Sequence, residues 1–410
     1  MRKGAKLAVL LLAVMILLGG LATGCGGNGE EGKTTIVFGH LTDLTGVAST
    51  NLSTISLALD ANVRYINEEN PIPGVEIKVV RWDTMYDTSR AIPGYYWLKD
   101  HGADVIYTEM PEMAEPLVPF VEKDKTVVVC HPGTAVLANA LSWVFCINPT
   151  SSSQMRSMMK YIGDNWDYSS MQRRPKIGTA GWSTPYGNDV KLGAEYCLDY
   201  PDKFDYVGSY MAPAGTVTWS GEVEKLKGCD YIVLTTPGAL QPATFAAEYV
   251  ARGYSTTWLG LDSLCAFWDF MVESVGSKNL DGSLIGQWLP LAVYKTPVVD
   301  HLIELAHKYY PDDADRLIYA NNGFVGGGSG TYYILECLRA CIEEVGPENF
   351  DGQAFFNTAI KWRPHWEGYP EDVGWSQDDR LSSRWQMIYE WSDNIDNFEV
   401  LSDWLEVIGK

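Results

Sequence analysis

Basic side chains are scarce in this chain of 410 residues, which holds 31 Lys and Arg against 52 Asp and Glu, a formal net charge of −21. Such an acidic surface repels nucleic acid and anionic lipid headgroups, which argues against a protein that binds DNA, RNA or a membrane surface. Disorder is not expected either, because 46% of the residues are apolar and can form a large core.

The common motifs of catalysis and metal binding are missing. The sequence contains no HExxH, GxSxG or CxxC pattern, and its six His have no ligand spacing on a shared face. We therefore predict no cofactor, no metal site and no enzymatic activity. A Ser–His–Asp set assembled by folding, as in an anchored hydrolase, is the alternative from another class.

Long apolar runs are absent after residues 7–18, and that run of 12 is shorter than the about 20 residues that a membrane-spanning helix needs. Three positive charges precede it, and the sequence Ala22-Thr23-Gly24-Cys25 that follows resembles a bacterial lipobox. We predict a lipoprotein signal peptide over residues 1–24 and lipidation of Cys25, with the mature body outside the cytoplasmic membrane, in the periplasm or on the cell surface. Ordinary signal-peptidase cleavage nearby is the alternative.

One apparent nucleotide motif is rejected. The sequence GNGEEGKT at 27–34 fits both the phosphate-loop and the dinucleotide-binding patterns. Both patterns need a strand before the glycines and a helix after them, whereas here a strand-like run follows, and Glu30 and Glu31 would repel phosphate. Residues 25–33 are therefore predicted to be a flexible tether.

Beyond the tether, short runs rich in β-branched residues alternate with helical patterns. Such alternation predicts doubly wound α/β sheets, and the length favours two lobes over one very wide sheet. After residue 261 the alternation loosens, and the strand-like sequence RWQMIYEW at 384–391 suggests a tail that returns to complete an earlier sheet. The strand-like runs before that point are 35–39, 75–80, 103–108, 126–130, 143–147, 176–181, 204–210, 230–236 and 257–261.

Seven Cys remain beyond Cys25, an odd number, so at least one is unpaired within the chain. An exported protein can form disulfides. Cys130 and Cys146 end neighbouring predicted strands and are the best candidates for a bridge. Cys337 and Cys341, four residues apart on a predicted helix, are expected to be packed thiols.

The loops that follow the predicted strands hold most of the chemically useful side chains. Ligands of open α/β sheets bind beyond the carboxyl ends of the strands, so these loops predict a binding site without an obvious nucleophile. For each residue taken alone, a helix cap or a turn is the alternative role. The candidate ligand-binding residues are Thr45, Glu109, Met110, His131, Thr134, Trp182, Tyr186, Gln241 and Asp262.

Several of these segments together resemble a known family. The sequences FGHLTDLTG (38–46), KTVVVCHPGTAVL (125–137), STPYG (183–187) and LGLDS (259–263) occur in the order and spacing of the leucine/isoleucine/valine-binding family, the type I periplasmic solute-binding proteins of ABC importers. The resemblance covers roughly residues 34–400. It implies that Tyr186 contacts the ligand and that Asp262 binds an amine of the ligand.

The resemblance also implies an architecture and a partner. Lobe 1 would comprise residues 34–148 and 293–365, and lobe 2 residues 149–292 and 366–410, with three crossovers near 148, 292 and 365. Ligand would bind between the lobes, a hinge would close over it, and the closed form would deliver it to ABC permease subunits in the membrane. A binding protein that signals to a membrane receptor is the alternative function.

The chain departs from the family at the expected site. Glu109-Met110-Pro111 replaces a small loop that holds the ligand carboxylate, and His131 replaces a small residue. A carboxylate at position 109 would oppose an anionic group. The expected ligand is therefore a small amino-acid-like or related polar or aromatic solute other than leucine, isoleucine or valine.

Overall fold

The computed structural model describes residues 33–235, 238–319 and 322–409. The predicted signal peptide, Cys25 and the tether up to residue 32 lie outside the described residues. Within the described ranges, no helix is both long and apolar enough to cross a membrane.

The described residues form thirteen strands and sixteen α-helices. The strands are β1 (Thr34–Thr42), β2 (Val75–Asp83), β3 (Ala103–Thr108), β4 (Val127–Cys130), β5 (Val144–Cys146), β6 (Lys176–Trp182), β7 (Asp205–Ala212), β8 (Tyr231–Thr235), β9 (Thr257–Leu261), β10 (Leu284–Gln287), β11 (Trp385–Ser392), β12 (Asn397–Val400) and β13 (Leu405–Glu406). The helices are α1 (Ser49–Glu68), α2 (Ala91–Asp100), α3 (Pro111–Ala114), α4 (Val118–Val121), α5 (Ala135–Ala140), α6 (Ser151–Asn165), α7 (Tyr168–Met171), α8 (Pro185–Ala194), α9 (Ser220–Leu226), α10 (Leu240–Ala251), α11 (Asp262–Ala266), α12 (Trp268–Val275), α13 (Pro297–Tyr309), α14 (Ala314–Tyr319), α15 (Gly328–Val345) and α16 (Gly352–Ala359).

Two sheets form the centres of the two lobes. The first has five parallel strands in the order β2-β1-β3-β4-β5. Its continuous apolar strands are covered by helices on both faces, the burial that parallel sheets require. Helix α1, for example, packs the predicted stripe Ile55, Leu59, Val63 and Ile66 into this core. The predicted two-lobe α/β class is confirmed.

The second sheet is completed by the C-terminal tail. Its strands run in the order β12-β11-β10-β9-β8-β6-β7, and β13 pairs with β11. Strands β6 to β10 are parallel, whereas β11 and β12 join antiparallel. The strand-like sequence at 384–391 therefore returns to an earlier sheet, as expected, and it pairs there with β10.

The segment before β11 contacts the first sheet up to residue 382, beyond the crossover predicted near residue 365. The backbone N–H of Cys146 in β5 donates to the carbonyl of Arg380 at 2.7 Å, and Ser382 N–H donates back to the carbonyl of Cys146 at 2.9 Å. Leu381 belongs to the first core. The lobe boundaries stay a prediction, which we refine by placing the third crossover near residue 384 instead of 365.

The suggested disulfide is not formed. All seven described cysteines are free and buried. Cys130 and Cys146 do lie side by side in register on β4 and β5, but the thiol of Cys130 donates to the carbonyl of Pro132 at 3.4 Å. Cys337 and Cys341 are buried thiols in α15, as expected.

Asp269 in α12 gives a prediction on stability. Burial, followed by the charge of Glu273, raises the pKa of its carboxyl from 3.8 to about 6. The folded state therefore holds a proton between these values that the unfolded chain has lost, so the stability from this group is present below about pH 4 and lost as the pH rises through 6. Asp269→Asn should raise the free energy of unfolding by about 1–3 kcal/mol at pH 7.5.

Urea unfolding of the wild-type protein and the Asp269→Asn variant at pH 7.5 and pH 4 checks this expectation. The difference should vanish at the lower pH, and the same substitution at the exposed Asp312 should change little at either pH. An Asp269→Asn variant that is no more stable than wild type at pH 7.5 would show that the ionised carboxylate of Asp269 does not destabilise the folded protein.

Candidate ligand cleft

A cavity lies between the two lobes, where the carboxyl ends of strands from both sheets meet. Loops after β1, β2, β3 and β4 reach it from the first lobe, and the starts of α8 and α11 reach it from the second. The cavity volume is about 60 Å³, so the cavity is small. The side chains that line it include an apolar group, Ala48, Leu52, Ile55, Met110, Ala266 and Phe267, and a polar group, Tyr86, Glu109, Glu112, His131, Tyr186 and Asp262.

A chain of hydrogen-bonded side chains, which runs from the partly exposed Asp60 to the buried His40, supports Glu109. His40 Nε2 lies 2.5 Å from Glu109 Oε1, and both side chains are almost fully buried. Arg81 Nε donates to the other ring nitrogen of His40 at 3.2 Å, and Arg81 pairs with Asp60 at 2.6 Å. Since a guanidinium can only donate, His40 Nδ1 must accept and Nε2 must carry the hydrogen. His40 therefore donates to Glu109 and fixes one of its oxygens.

Asp262 accepts hydrogen bonds from both lobes. Its Oδ2 lies 3.0 Å from Nε2 of His131 and 3.1 Å from Nδ2 of Asn148. Its Oδ1 accepts from the hydroxyl of Tyr186 at 3.3 Å and from the backbone N–H of Ser263 at 2.8 Å. Both oxygens are thus used, and the carboxylate joins β9 of the second lobe to β4 of the first.

Two further carboxylates bridge the lobes. Glu112 of the first lobe accepts from the backbone N–H of Tyr186 at 3.3 Å. Burial raises the pKa of the Glu112 carboxyl. Asp189 of the second lobe accepts from the backbone N–H of Ala135 at 2.9 Å and of Ser152 at 2.7 Å. These bonds join the two lobes directly.

Several buried polar atoms around the cavity have no hydrogen-bond partner among the described residues. They are Tyr107 Oη, Glu109 Oε2, His131 Nδ1 and Asn148 Oδ1, and all four residues lie at or next to strands of the first sheet. Buried polar groups are normally paired, and an orphaned one costs free energy. Such a group of orphans is typical of a site whose missing partners are water or a ligand.

The structure brings five of the nine candidate residues to the cavity: Glu109, Met110, His131, Tyr186 and Asp262. Their binding roles stay predictions. The side chain of Asp262 is not a cap for α11, the role considered as its alternative, because Leu261 occupies the N-cap position.

The other four candidates are not among the residues that line the cavity. Thr45 bonds Asp83 in a turn at 2.7 Å, and Thr134 caps α5 and donates to Glu115. Trp182 is buried in the second lobe's core and donates to the carbonyl of Thr216. Gln241 is buried at the start of α10. The capping role considered for such residues holds for Thr134.

Other lining residues were not predicted. Tyr86 and Asn51 line the cavity from the first lobe and Phe267 from the second. Asn322 and Gly323 line it from the start of a short π-helix, Gly323–Gly327, which Asn322 precedes. Tyr86 follows β2, so the strand-end rule could have found it. Asn322 and Gly323 lie about 280 residues beyond β1 in a segment that carries no strand signal, and only packing brings them here.

The cleft contains an acid–imidazole pair, His131 and Asp262, but no nucleophile is joined to it. His131 Nδ1 has no partner among the described residues, so no described hydroxyl or thiol hydrogen bonds to it. The neighbouring Cys130 thiol is fully buried, and burial raises its pKa well above the usual value. At His131, the described residues of the cleft therefore form no Ser–His–Asp arrangement.

Comparisons with known proteins define the class. A family model described as periplasmic binding protein matches residues 35–394. Because the match spans most of the chain, this protein belongs to the periplasmic binding protein family, which confirms the resemblance seen in the sequence. Among curated proteins, no sequence matches the chain.

Solved structures share the fold at low sequence identity. A branched-chain amino acid ABC transporter protein from Thermus thermophilus with bound valine is 14% identical, with 92% of this chain and 97% of that one covered and a TM-score of 0.77. A fatty acid ABC transporter substrate-binding protein from Thermomonospora curvata is 19% identical, with 91% and 92% covered and a TM-score of 0.78.

A third similar structure is a solute-binding protein of an ABC transporter from Rhodopseudomonas palustris BisB5 in complex with 3,4-dihydroxy benzoic acid. It is 13% identical, with 92% of this chain and 99% of that one covered and a TM-score of 0.73. The named ligands of these three proteins differ in charge, size and aromaticity. The shared fold therefore does not specify a ligand, and the side chains of the cleft must be considered on their own.

Proposed function

We propose that this protein is the lipid-anchored, extracytoplasmic substrate-binding subunit of an ABC importer, and that it captures a small amino-acid-like or related polar or aromatic solute between its lobes. The observation that carries the proposal is the small cavity that buried polar groups of both lobes line together. Small-molecule sites are typically concave, largely apolar and equipped with a few aimed polar groups, and this cavity has that composition.

Two further observations support transport instead of turnover. The family match covers residues 35–394, and the similar solved structures come from ABC transporters for amino acids, fatty acids and an aromatic acid. The described cleft residues also offer no nucleophile joined to a base. The expected partners are membrane permease subunits, to which the closed form delivers its solute.

Mass spectrometry of small molecules released from the purified protein tests this proposal. We expect one solute, released on denaturation in near-stoichiometric amount, which binds again to the refolded protein and raises its melting temperature by mass action. Conversion of that solute into a product by the purified protein would contradict a pure binding function. The absence of any bound or binding solute would contradict the site itself.

Anchoring through Cys25 is the second part of the proposal. Cys25→Ser removes the thiol that a lipid would modify, so the body should appear in the soluble fraction or the precursor should remain uncleaved. Fractionation of cells and the apparent mass of the protein measure both outcomes. Cys197→Ser, at a buried thiol of the folded body, is the matched control and should stay on the membrane. Normal processing and full membrane retention of the Cys25→Ser variant would refute the anchor.

Closure of the lobes is the third part. The bonds His131–Asp262, Tyr186–Glu112 and Ala135–Asp189 join the lobes, and a solute between them would favour this arrangement. Solution scattering should therefore show a smaller radius of gyration with the released solute than without it. Binding proven by calorimetry, with no change in the radius of gyration, would argue that the solute binds outside the cleft.

A further inference from the structure

The side chains that line the cleft carry more acidic than basic groups, which restricts the class of ligand. Three carboxylates, Glu109, Glu112 and Asp262, line the cavity, and none of the described lining residues is Lys or Arg. The imidazole of His131 is held by Asp262 through Nε2. An added anion would meet three buried acids and at most one imidazole, and like charges in a desolvated site oppose each other strongly.

Backbone donors for an anion are also reduced. Two of the lining residues are Pro111 and Pro132, which follow Met110 and His131 directly. Proline has no backbone N–H, so each of these strand-end loops has one backbone donor fewer beside the cavity. Pro111 also begins helix α3, and this helix has only four residues.

Glu109 offers an acceptor oxygen to a hydrogen-bond donor of the ligand. His40 holds its Oε1, while its Oε2 is buried, has no partner among the described residues and can only accept. His131 Nδ1 is likewise free of a described partner, and it accepts as long as Nε2 carries the hydrogen toward Asp262. Two residues that line the same small cavity therefore each keep an unused, buried acceptor atom.

The rest of the lining combines apolar side chains with neutral polar ones such as Asn51, Tyr86 and Asn322, and the cavity is small. Leu52, Ile55, Met110 and Phe267 give it a hydrocarbon surface beside the acids. Among the described residues, no group of three or more His, Cys, Asp or Glu side chains is arranged to hold a metal ion. A cation that fits must have an apolar body as well as N–H groups.

We infer that the cleft takes a small organic cation, an alkylammonium or amidinium with an apolar body and no carboxylate, whose N–H groups bond Glu109. This inference rests on the proposed function, since it names the solute class of the same cleft. His40 is a positioning residue in this scheme: Arg81 fixes its tautomer, and it turns the free oxygen of Glu109 toward the ligand.

A matched set of three probes tests the ligand class. Leucine, 3-methylbutylamine and 3-methylbutan-1-ol share one hydrocarbon body, the amine lacks the carboxylate of leucine, and the alcohol also lacks the charge. Calorimetry on the full mature chain, freed of co-purified solute, should show the amine binding at least about 30-fold more tightly than either of the others. Leucine or the alcohol binding as tightly as the amine would overturn the inference.

The solute released from the purified protein decides the case in which no probe binds. A released solute with a cationic nitrogen and no carboxylate supports the inference for a larger cation, whereas one with a carboxylate or without a cationic nitrogen overturns it and leaves the proposed function intact. If no probe binds and no solute is released, the proposed function fails and the inference fails with it.

Variants separate the ion pair from a structural effect. Glu109→Gln should weaken binding of 3-methylbutylamine about 100-fold, and Glu371→Gln, the same change at an exposed position, should leave it unchanged. His40→Leu should lose about tenfold, while His40→Gln, which keeps one donor and one acceptor, should bind within about threefold of wild type. Unchanged binding by a folded Glu109→Gln variant would overturn the inference.

Discussion

Asp262→Asn should weaken binding of the protein's own solute by about two to three decades in the dissociation constant, or about 3–4 kcal/mol. The carboxylate accepts four hydrogen bonds, two at each oxygen. An asparagine keeps only one accepting oxygen. Its amide N–H₂ would then face either His131 and Asn148 or Tyr186 and the Ser263 N–H, so that donors oppose donors in a buried site.

The same substitution also removes a negative charge from a desolvated cleft. A cationic solute would then be bound without one of its counter-charges, and the contact between β9 and β4 that holds the lobes closed would weaken. Both effects lower the affinity in the same direction. Calorimetry with the solute released from the purified protein measures the loss, and Asp312→Asn at the exposed surface is the matched control.

Two outcomes of this experiment discriminate between roles for Asp262. A loss of less than tenfold, with the fold intact by circular dichroism, would refute an ion-pair role. The double variant with Glu109→Gln shows whether the two carboxylates act on one group, because the losses of independent sites add and those of coupled sites do not.

Trp375→Ala should lower the free energy of unfolding by about 3–5 kcal/mol. Trp375 is fully buried, and its indole N–H donates to the carbonyl of Cys146 at 2.7 Å. Its ring packs on Phe145, with centroids 5.1 Å apart, and on Tyr333, at 5.0 Å. Truncation would leave a cavity where the tail, β5 and α15 meet, and would remove one of the two hydrogen bonds that the Cys146 carbonyl accepts, the other coming from the Ser382 N–H.

Urea unfolding followed by far-ultraviolet circular dichroism measures this loss. Trp166→Ala provides the matched control, since that indole also donates to a carbonyl but is partly exposed, and it should lose less than about half as much. A loss below about 1 kcal/mol for Trp375→Ala would show that the segment between 366 and 384 is not part of the first lobe's core.

The cleft residues fall into two groups according to how far the sequence could predict them. Glu109, Met110, His131, Tyr186 and Asp262 each follow a strand of a parallel sheet at once or within a few residues, so a local rule about strand ends found them. The rule fails for Thr134 and Trp182, which also stand at strand ends. Thr134 caps a helix and the Trp182 ring lies in the core. Packing decides whether a side chain at a strand end points toward the cleft or away from it.

The sequence alone determined the class of this protein. Alternating buried strands and helices specify an α/β fold locally, through periodicity and β-branched composition, and the order of the strand-end loops was enough to indicate the family. The same reasoning predicted an acidic, binding-type site, because the residue types at strand ends are visible without coordinates.

Only the tertiary structure decided which acid is available to a ligand. Asp262 is saturated by partners from residues 131, 148, 186 and 263. One oxygen of Glu109 is held by His40, which Arg81 supports from a neighbouring strand, and the other has no partner among the described residues. The return of the tail onto β5 through Trp375 and Arg380 was decided there as well. Apart from the bond to Ser263, these contacts join residues tens to hundreds of positions apart, and their geometry depends on the packing of the whole lobe, which no local pattern encodes.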